Sequence, residues 1–295
     1  MSALTTTRPS PGLLFRLGLM RPDLVIRSAV AHLVLIVGAL FVLLPFVWML
    51  LTSIRKPEAV FTAGFNPIPD EFHGVENYGH ALSQSPLLQF MGNGVIVCAA
   101  ILALQLIFSL PAAYALAKLS FRARPLIFAL VLMGLTVPEQ VTALPIYMGL
   151  ASIDMLDTYF ALMLPFSLSV FAIFLFRQFF KSFPDEIIQA ARLDGFTEFE
   201  ILIRIMVPSA LPAIAAFAVF SITSHWNDLY WPLVVTTSPE HATPPLGMMI
   251  FRDQETGSNY GALMAGATII TAPLVIAFLI AQRQFVRGIT MTGVK

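Results

Sequence analysis

Charged residues and cysteines are both scarce in this sequence. Asp, Glu, Lys and Arg make up 12% of the 295 residues, hydrophobic residues make up 57%, and the mean hydropathy is +0.81. Soluble domains carry about 25% charged residues, so the composition indicates a membrane protein. The 17 basic and 17 acidic residues cancel, and net charge therefore indicates no partner. The single Cys98 excludes a disulfide within the chain, argues against a thiolate metal site, and is interpreted as a small packing residue.

Signatures of other protein classes are also missing. The chain has no Gly-rich loop followed by Lys-Ser or Lys-Thr, so it is not expected to bind ATP phosphates itself. Residues 1–27 lack a short apolar run ending in a small-residue cleavage site, which argues against a cleavable signal peptide. No set of nucleophile, base and orienting group lies at a spacing typical of a catalytic site, so no catalytic residue is predicted.

Six apolar segments are long enough to cross a bilayer core, which needs about 20 residues. They are 29–51, 90–116, 126–147, 158–176, 210–235 and 260–281. An even number of spans places both termini on one side of the membrane. The sequence therefore predicts an all-α, polytopic protein with six transmembrane helices.

The basic residues separate the two sides. Fourteen of the 17 lie in residues 1–27, 117–125, 177–208 and 283–295, whereas the opposite loops hold Arg55, Lys56 and Arg252. Basic residues accumulate on the cytoplasmic side of membrane proteins. We therefore expect cytoplasmic N- and C-termini in a multi-pass protein of the bacterial inner membrane.

The stretch Ser182–Pro208 is an unusually structured cytoplasmic linker. Ser182 with Asp185, and Thr197 with Glu200, have the spacing of capping boxes at two helix starts. Gly195 stands between the two helices, where a left-handed cap is favourable, and Pro208 is expected to end the second helix. Two short helices are not needed to join two spans, so the stretch is predicted to dock another protein.

Part of this stretch resembles a known motif. Gln189-Ala190-Ala191, then Asp194-Gly195, then Val207-Pro208 are similar to the EAA motif of membrane subunits of binding-protein-dependent ABC importers. The resemblance implies a coupling helix that sits in a cleft of a separate ATP-binding subunit. Gln189 stands where the family usually has glutamate, so a salt bridge from this position is not expected. The residues assigned to ATPase coupling are Gln189, Ala190, Ala191, Asp194, Gly195 and Pro208.

Further matches narrow the resemblance and extend it over essentially the whole chain. They are Val137-Pro138-Glu139-Gln140-Val141, Trp226-Asn227-Asp228 followed by Trp231-Pro232-Leu233, and Phe285-Val286-Arg287-Gly288 with a Thr-Gly-Val-Lys end. Together they resemble carbohydrate-uptake permeases similar to the second membrane subunit of the maltose transporter. The implied fold is a type I ABC importer transmembrane domain.

This resemblance implies an organisation and a set of partners. Residues 1–28 are expected to be a cytoplasmic segment, 29–283 the permease domain with coupling loop 182–208 and periplasmic loop 236–259, and 284–295 a cytoplasmic tail. The implied partners are a different second permease, two copies of an ATP-binding subunit, a periplasmic or lipid-anchored solute-binding protein and membrane lipid, with no nucleic acid. ATP and Mg would belong to the ATPase, and this chain would hold no cofactor or metal. Arg287 and Lys295 in the tail would approach the ATPase.

Polar residues inside membrane spans are candidates for a substrate pathway, because burying them in lipid costs a few kcal/mol. The candidates are Asn93, Glu139, Gln140, Trp226, Asn227 and Asp228. Local helix capping and anchoring at the membrane interface are the alternatives for these residues. His32 and His225 are interpreted as packing or interface residues.

Two other functions remain open from the residues alone. An ion-coupled secondary transporter would need a coupling acid near the membrane midplane, for which Asp228 is the candidate. An intramembrane enzyme would use His225 and Asp228, or would be a hydrolase with a Ser or Thr nucleophile. Neither the transported substrate nor the subunit that holds its pocket follows from the sequence.

Overall fold

The fold comes from a computed structural model, which describes residues 22–56, 60, 69, 71–254 and 259–291. The described residues form α-helices joined by short turns, and no strand occurs among them. The chain divides into two compact units, Met1–Leu51 and Thr52–Lys295. The predicted all-α class is confirmed.

The helices are numbered in chain order. They are α1 (Pro22–Ser53), α2 (Gly74–Gln84), α3 (Leu87–Lys118), α4 (Arg124–Gly134), α5 (Glu139–Ser152), α6 (Tyr159–Met163), α7 (Val170–Ser182), α8 (Asp185–Leu193), α9 (Glu198–Ile201), α10 (Val207–Ser209), α11 (Leu211–Trp226), α12 (Tyr230–Val235), α13 (Pro244–Gln254) and α14 (Tyr260–Met291). Two 3₁₀ turns, Leu164–Phe166 and Pro239–His241, and a π-helical segment, Leu202–Met206, complete the described elements.

Three helices are long and apolar enough to cross a membrane singly: α1, α3 and α14. Three further pairs would cross as bent spans: α4 with α5, α6 with α7, and α9–α10 with α11. The described chain therefore holds three candidate spans, or up to six if each bent pair is one span.

Breaks divide three of the predicted spans, each of which was expected to be one continuous helix. The predicted span 158–176 is divided between α6 and α7, which are bent by 42°. The predicted span 126–147 is α4 and α5, which meet at 99° across residues 135–138. Pro138 is the N-cap of α5 and has extended backbone, and a proline also disfavours helix at the residue before it. The predicted span 210–235 is likewise divided, because α11 ends at Trp226 and α12 begins at Tyr230.

Helix α3 is the central element of the second unit. It contributes buried side chains to all four apolar clusters of that unit, among them Tyr114, Phe90, Ile101 and Leu116. The largest cluster packs the end of α3 against α7, α8 and the residues that lead into α11. The Ser182–Pro208 stretch is thus part of the packed core on one side, and α3 lies beneath it.

Gly247 lies in close contact with α3, and we predict that Gly247→Ala destabilises the protein. A Cβ atom at this position would overlap the ring of Phe90, which is fully buried. Overpacking of this kind costs about 1–3 kcal/mol. Thermal unfolding of the purified protein in detergent measures the effect. Gly149→Ala in α5 is the matched control, since a Cβ there meets no described atom within 4 Å; a lower midpoint for the control variant as well would contradict the packing argument.

Candidate functional site

The turn between α8 and α9 is a helix C-cap built on Gly195. Gly195 has φ +85°, and its N–H donates to the Arg192 carbonyl at 3.1 Å. The next N–H, of Phe196, donates to the Ala191 carbonyl at 3.0 Å, which completes a Schellman motif. Phe196 and Ala191 both belong to the apolar cluster beneath the loop. The predicted left-handed cap at Gly195 is confirmed.

The second predicted capping box is also present. The Thr197 side chain accepts from the Glu200 N–H at 3.3 Å, and Glu200 Oε2 accepts from the Thr197 N–H at 3.0 Å. This box starts α9. The helix then continues through the π-helical segment to Ser209, so the expectation that Pro208 ends it is wrong by one residue.

The first predicted capping box is wrong. Helix α7 extends through Ser182, whose hydroxyl donates back to the Phe179 carbonyl at 2.7 Å. The N-cap of α8 is Pro184, and Asp185 instead accepts from Lys118 Nζ at 2.5 Å. That hydrogen bond, together with the charge of Lys118, holds the pKa of Asp185 below its usual range.

Helix α8 has one face in the core and one face in solvent. Ile188 and Ala191 are buried, whereas Gln189, Ala190 and Asp194 are exposed. Gly195 and Pro208, the other residues assigned to ATPase coupling, are exposed too. Leu193 is 90% and Phe199 68% exposed. Exposed apolar side chains rimmed by polar ones are a feature of interaction surfaces, so this face is the candidate docking surface.

The exposed face differs from the sequence expectation in one respect. Both alanines, Ala190 and Ala191, were assigned to ATPase coupling. The structure turns Ala190 outward and buries Ala191 against the chain's own core. The outer surface therefore consists of Gln189, Ala190 and the residues around the Gly195 turn.

A second feature is an open cavity of about 370 Å³ between the bent spans. Residues from the break between α4 and α5, the break before α7, and helices α3, α11 and α12 line it. Its polar lining residues are Gln105, Glu139, Thr142, Ser169, Ser221, Ser224, His225 and Tyr230, and its aromatic ones include Phe166, Phe171 and Trp231. This volume falls within the range of small-molecule pockets, about 300–1,000 Å³.

A hydrogen-bonded group fixes the polar wall of the cavity. The Ser221 hydroxyl donates to Gln105 Oε1 at 2.7 Å, and Gln105 Nε2 lies 3.3 Å from His225 Nε2. Gln105 and Ser221 are buried, so each satisfies the other within the apolar interior. The ring of Phe166 lies between His225, at 4.8 Å, and Trp231, at 6.3 Å between centroids. The cavity thus combines fixed amide and hydroxyl groups with aromatic faces.

A family profile matches this architecture over residues 105–291, and its family is the binding-protein-dependent transport system inner membrane component. The chain belongs to this family. It is an inner membrane component of a transport system, and such a component works with partner subunits. The matched residues include both the exposed face of α8 and the cavity.

Curated relatives are permease proteins of similar length. The arabinooligosaccharides transport system permease AraQ of Halalkalibacterium halodurans is 34% identical over 259 residues, which cover 87% of this permease and 92% of the relative. The sn-glycerol-3-phosphate transport system permease UgpE of Brucella abortus is 31% identical over 277 residues, covering 90% and 97%. These relatives place the chain among the permeases of ABC importers, which are transport components.

A solved structure has the same fold. A bacterial ABC transporter involved in the import of the acidic polysaccharide alginate contains a chain that matches 90% of this permease and 99% of its own length. The TM-score is 0.78 at 23% sequence identity, a likeness of fold. The ABC importer permease fold predicted from the sequence is confirmed by this match.

The structure distributes the candidate pathway residues among several environments. Glu139 lies on the cavity wall, and its neighbour Gln140 is exposed at the start of α5. Asn227 is exposed and donates to the Thr223 carbonyl at 2.8 Å, while Asp228 Oδ1 accepts from the Trp231 N–H at 3.3 Å. These two residues therefore cap the ends of α11 and α12, as the local alternative anticipated.

Asn93 and Trp226 are buried away from the cavity wall. Asn93 Nδ2 donates to the carbonyls of Glu240 and Ala242 at 2.8 and 2.9 Å, and its Oδ1 accepts from the Tyr159 hydroxyl at 2.6 Å. Trp226 Nε1 donates to the Ile270 carbonyl at 3.1 Å. Their side-chain polar groups hold other parts of this permease together.

Sequence reasoning missed Gln105 and Ser221 and interpreted His225 as a packing or interface residue. A signal was present: Ser221 and His225 are four residues apart on one face of α11, and Gln105 interrupts the apolar run of α3. The remaining predicted residues, Arg287 and Lys295, cannot be placed, since Lys295 and the Arg287 side chain lie outside the described residues.

Proposed function

We propose that this permease imports a carbohydrate or a sugar derivative and that its cavity forms part of the translocation pathway. The observation that carries the proposal is the cavity's pairing of fixed polar groups with aromatic rings. Sugar hydroxyls need hydrogen-bonding partners such as the exposed Thr142 and Ser224, and the apolar face of a sugar ring packs well on an exposed aromatic side chain such as Tyr230. The names of curated relatives, which include arabinooligosaccharide and glycerol-phosphate permeases, support this substrate class.

The energy for import would come from two copies of a separate ATP-binding subunit, which would also hold ATP and Mg. We expect one of them to dock on the exposed surface formed by Gln189, Ala190, Asp194 and Gly195. The support is the combination of exposed apolar side chains with a rigid helix that is packed into the core on its other face. A short helix held in this way moves as one body with the spans that it contacts. The tail residues Arg287 and Lys295 stay predicted contacts of the same subunit.

A second, different permease and a periplasmic or lipid-anchored solute-binding protein would complete the complex. The basic residues on one set of loops support cytoplasmic termini, which leaves the loop 236–259 on the periplasmic side to meet the binding protein. A relative in fold was crystallised in a complex with a periplasmic protein bound to an alginate pentasaccharide. The parts of the pathway formed by Gln140, Asn227 and Asp228 stay predictions.

We predict that filling the cavity stops import without disturbing the rest of the complex. Ser224→Trp places a large ring in the cavity, and we expect substrate uptake to fall by at least about tenfold, as expected for steric exclusion worth 1.4 kcal/mol or more. Uptake of the ligand carried by the cognate binding protein, measured in proteoliposomes with the full complex, tests this. Assembly and unstimulated ATP hydrolysis should stay at the wild-type level.

Thr223→Trp is the matched control, because Thr223 precedes Ser224 on α11 but is not part of the cavity lining. Equal uptake by the two tryptophan variants would contradict the proposed pathway. Screening the binding protein with mono- and oligosaccharides by thermal shift would identify the substrate, and a ligand without sugar character would overturn the substrate class.

A further inference from the structure

Two side chains near one end of α3 contact the stretch Ser182–Pro208, which is called the docking loop below. Tyr114 and Lys118 are one helical turn apart on α3, and each hydrogen-bonds a different part of the stretch from Phe183 to Glu198. Helix α3 is not adjacent to this stretch in sequence, so these bonds are made across the fold. They supplement the covalent connections that the loop has with α7 and α11.

The first link is a three-residue group. The Tyr114 hydroxyl donates to Glu198 Oε2 at 2.6 Å. Arg192 holds the same carboxylate with two nitrogens, Nε at 2.7 Å from Oε1 and Nη2 at 3.2 Å from Oε2. Tyr114 is 3% exposed, and its ring packs edge-on against Phe180. Glu198 is therefore clamped between the end of α8, where Arg192 stands, and α3.

The second link anchors the start of α8. Lys118 Nζ donates to the Phe183 carbonyl at 2.6 Å and to Asp185 Oδ1 at 2.5 Å. The Lys118 side chain is only 5% exposed, so its charge is held at this position by the carbonyl and the carboxylate. Both ends of α8 are thus joined to the same helix, one through Lys118 and the other through Tyr114 and Glu198.

The remainder of α3 connects the places where import would occur. Gln105 stands on the cavity wall, and farther along, Asn93 and Gln89 donate to carbonyls of the outer 3₁₀ turn at Glu240. From Lys118 to Asn93 the helix spans about 37 Å at 1.5 Å per residue. A single α-helix therefore contacts the docking loop, the cavity and the outer loop in succession.

We infer that Tyr114 and Glu198 are positioning residues that make α3 move with the docking loop. Displacement of α8 by the ATP-binding subunit is then transmitted through the Tyr114–Glu198–Arg192 group and Lys118 to the cavity wall and the outer turn. This role rests on the proposed function and extends it, because it identifies which span carries the motion.

The test uses the complete complex reconstituted in proteoliposomes with its binding protein. Tyr114→Phe keeps the buried ring and removes only the hydroxyl, and Glu198→Gln keeps the side-chain length and removes the charge. We expect both variants to assemble and hydrolyse ATP, while the amount of substrate transported per ATP falls by roughly 2- to 30-fold, the range found for disrupted coupling networks. Arg204→Gln is the control, since it breaks the exposed Glu200–Arg204 pair at 3.5 Å in the same region without touching α3.

A distance measurement separates coupling from a general loss of stability. Spin labels at Leu88, near the outer end of α3, and at Glu186 on α8 are introduced after the buried Cys98 is replaced by alanine. With Glu198 intact, the distance between the labels should stay the same with and without a non-hydrolysable ATP analogue. In Glu198→Gln it should change between the two states.

The outcomes distinguish two failures. The first outcome is that the wild-type complex transports normally and that Tyr114→Phe and Glu198→Gln both match Arg204→Gln in substrate transported per ATP. In that case the coupling role of Tyr114 and Glu198 is refuted, and the proposed function stands. A change in the wild-type Leu88–Glu186 distance on addition of the ATP analogue would also refute the coupling role. If the wild-type complex neither binds an ATP-binding subunit nor transports, the proposed function itself fails.

Discussion

Gly195→Pro is expected to abolish ATP-driven uptake while the protein still inserts in the membrane. Proline fixes φ near −65°, whereas Gly195 has φ +85°, and proline also lacks the N–H that donates to the Arg192 carbonyl. Loss of the cap and the backbone conflict together cost about 3 kcal/mol or more. Such a cost would reduce the population of the docking-competent turn by about a hundredfold.

The measurement is uptake in cells or proteoliposomes, together with the amount of ATP-binding subunit that copurifies. Gly195→Asn is the matched variant, because asparagine adopts the left-handed conformation more readily than other side chains and keeps the N–H. We expect Gly195→Asn to retain most of the uptake. Normal uptake and normal copurification in Gly195→Pro would show that the turn is not needed for docking.

Asn93→Leu is expected to have the second large effect, near the end of α3 that lies away from Lys118. Leucine would leave the carbonyls of Glu240 and Ala242 and the Tyr159 hydroxyl without the partners that Asn93 provides. Each buried polar group that loses its partner costs about 1–3 kcal/mol, so a total loss of roughly 3 kcal/mol is expected. Thermal unfolding of the purified complex would measure it.

Gln89→Leu is the control for this prediction. Gln89 is exposed and donates a single hydrogen bond, to the same Glu240 carbonyl at 3.1 Å, so its replacement should change stability little. Tyr159→Phe, alone and combined with Asn93→Leu, would give the coupling energy between the two side chains. If Asn93→Leu were as stable as wild type but had a raised KM for uptake, the result would contradict the structural role and would support a role of Asn93 in the substrate pathway.

Local rules predicted the structure of the Ser182–Pro208 stretch well. Gly195 and the Thr197–Glu200 box depend on a few neighbouring residues, and the structure contains both as expected. The Ser182–Asp185 box fulfils the same spacing rule but fails, because α7 continues through Ser182 and Lys118 of α3 takes the Asp185 carboxylate. Spacing alone cannot anticipate a partner 67 residues away.

The cavity was harder to predict, for two physical reasons. Hydropathy measures whether a segment is apolar and carries no information on its direction. The segment 126–147 was therefore predicted as one continuous span, although α4 and α5 meet at 99°. The partners of Gln105 are 116 and 120 residues distant, and a lone glutamine in an apolar run does not reveal them. The family motifs nevertheless contain Glu139 and Trp231, which both line the cavity, although Glu139 alone was among the predicted pathway residues.

The break between α4 and α5 also has a consequence for hydration. No side chain caps the start of α5 among the described residues, so its first backbone N–H groups need other partners. Irregular backbone at the depth of a bilayer is tolerated only where it is covered by protein or faces water. The break borders the cavity, and we expect water to satisfy the free backbone N–H groups there whenever no substrate is present. A passing sugar would then exchange one hydrogen-bonded shell for another and would not have to enter a dry channel.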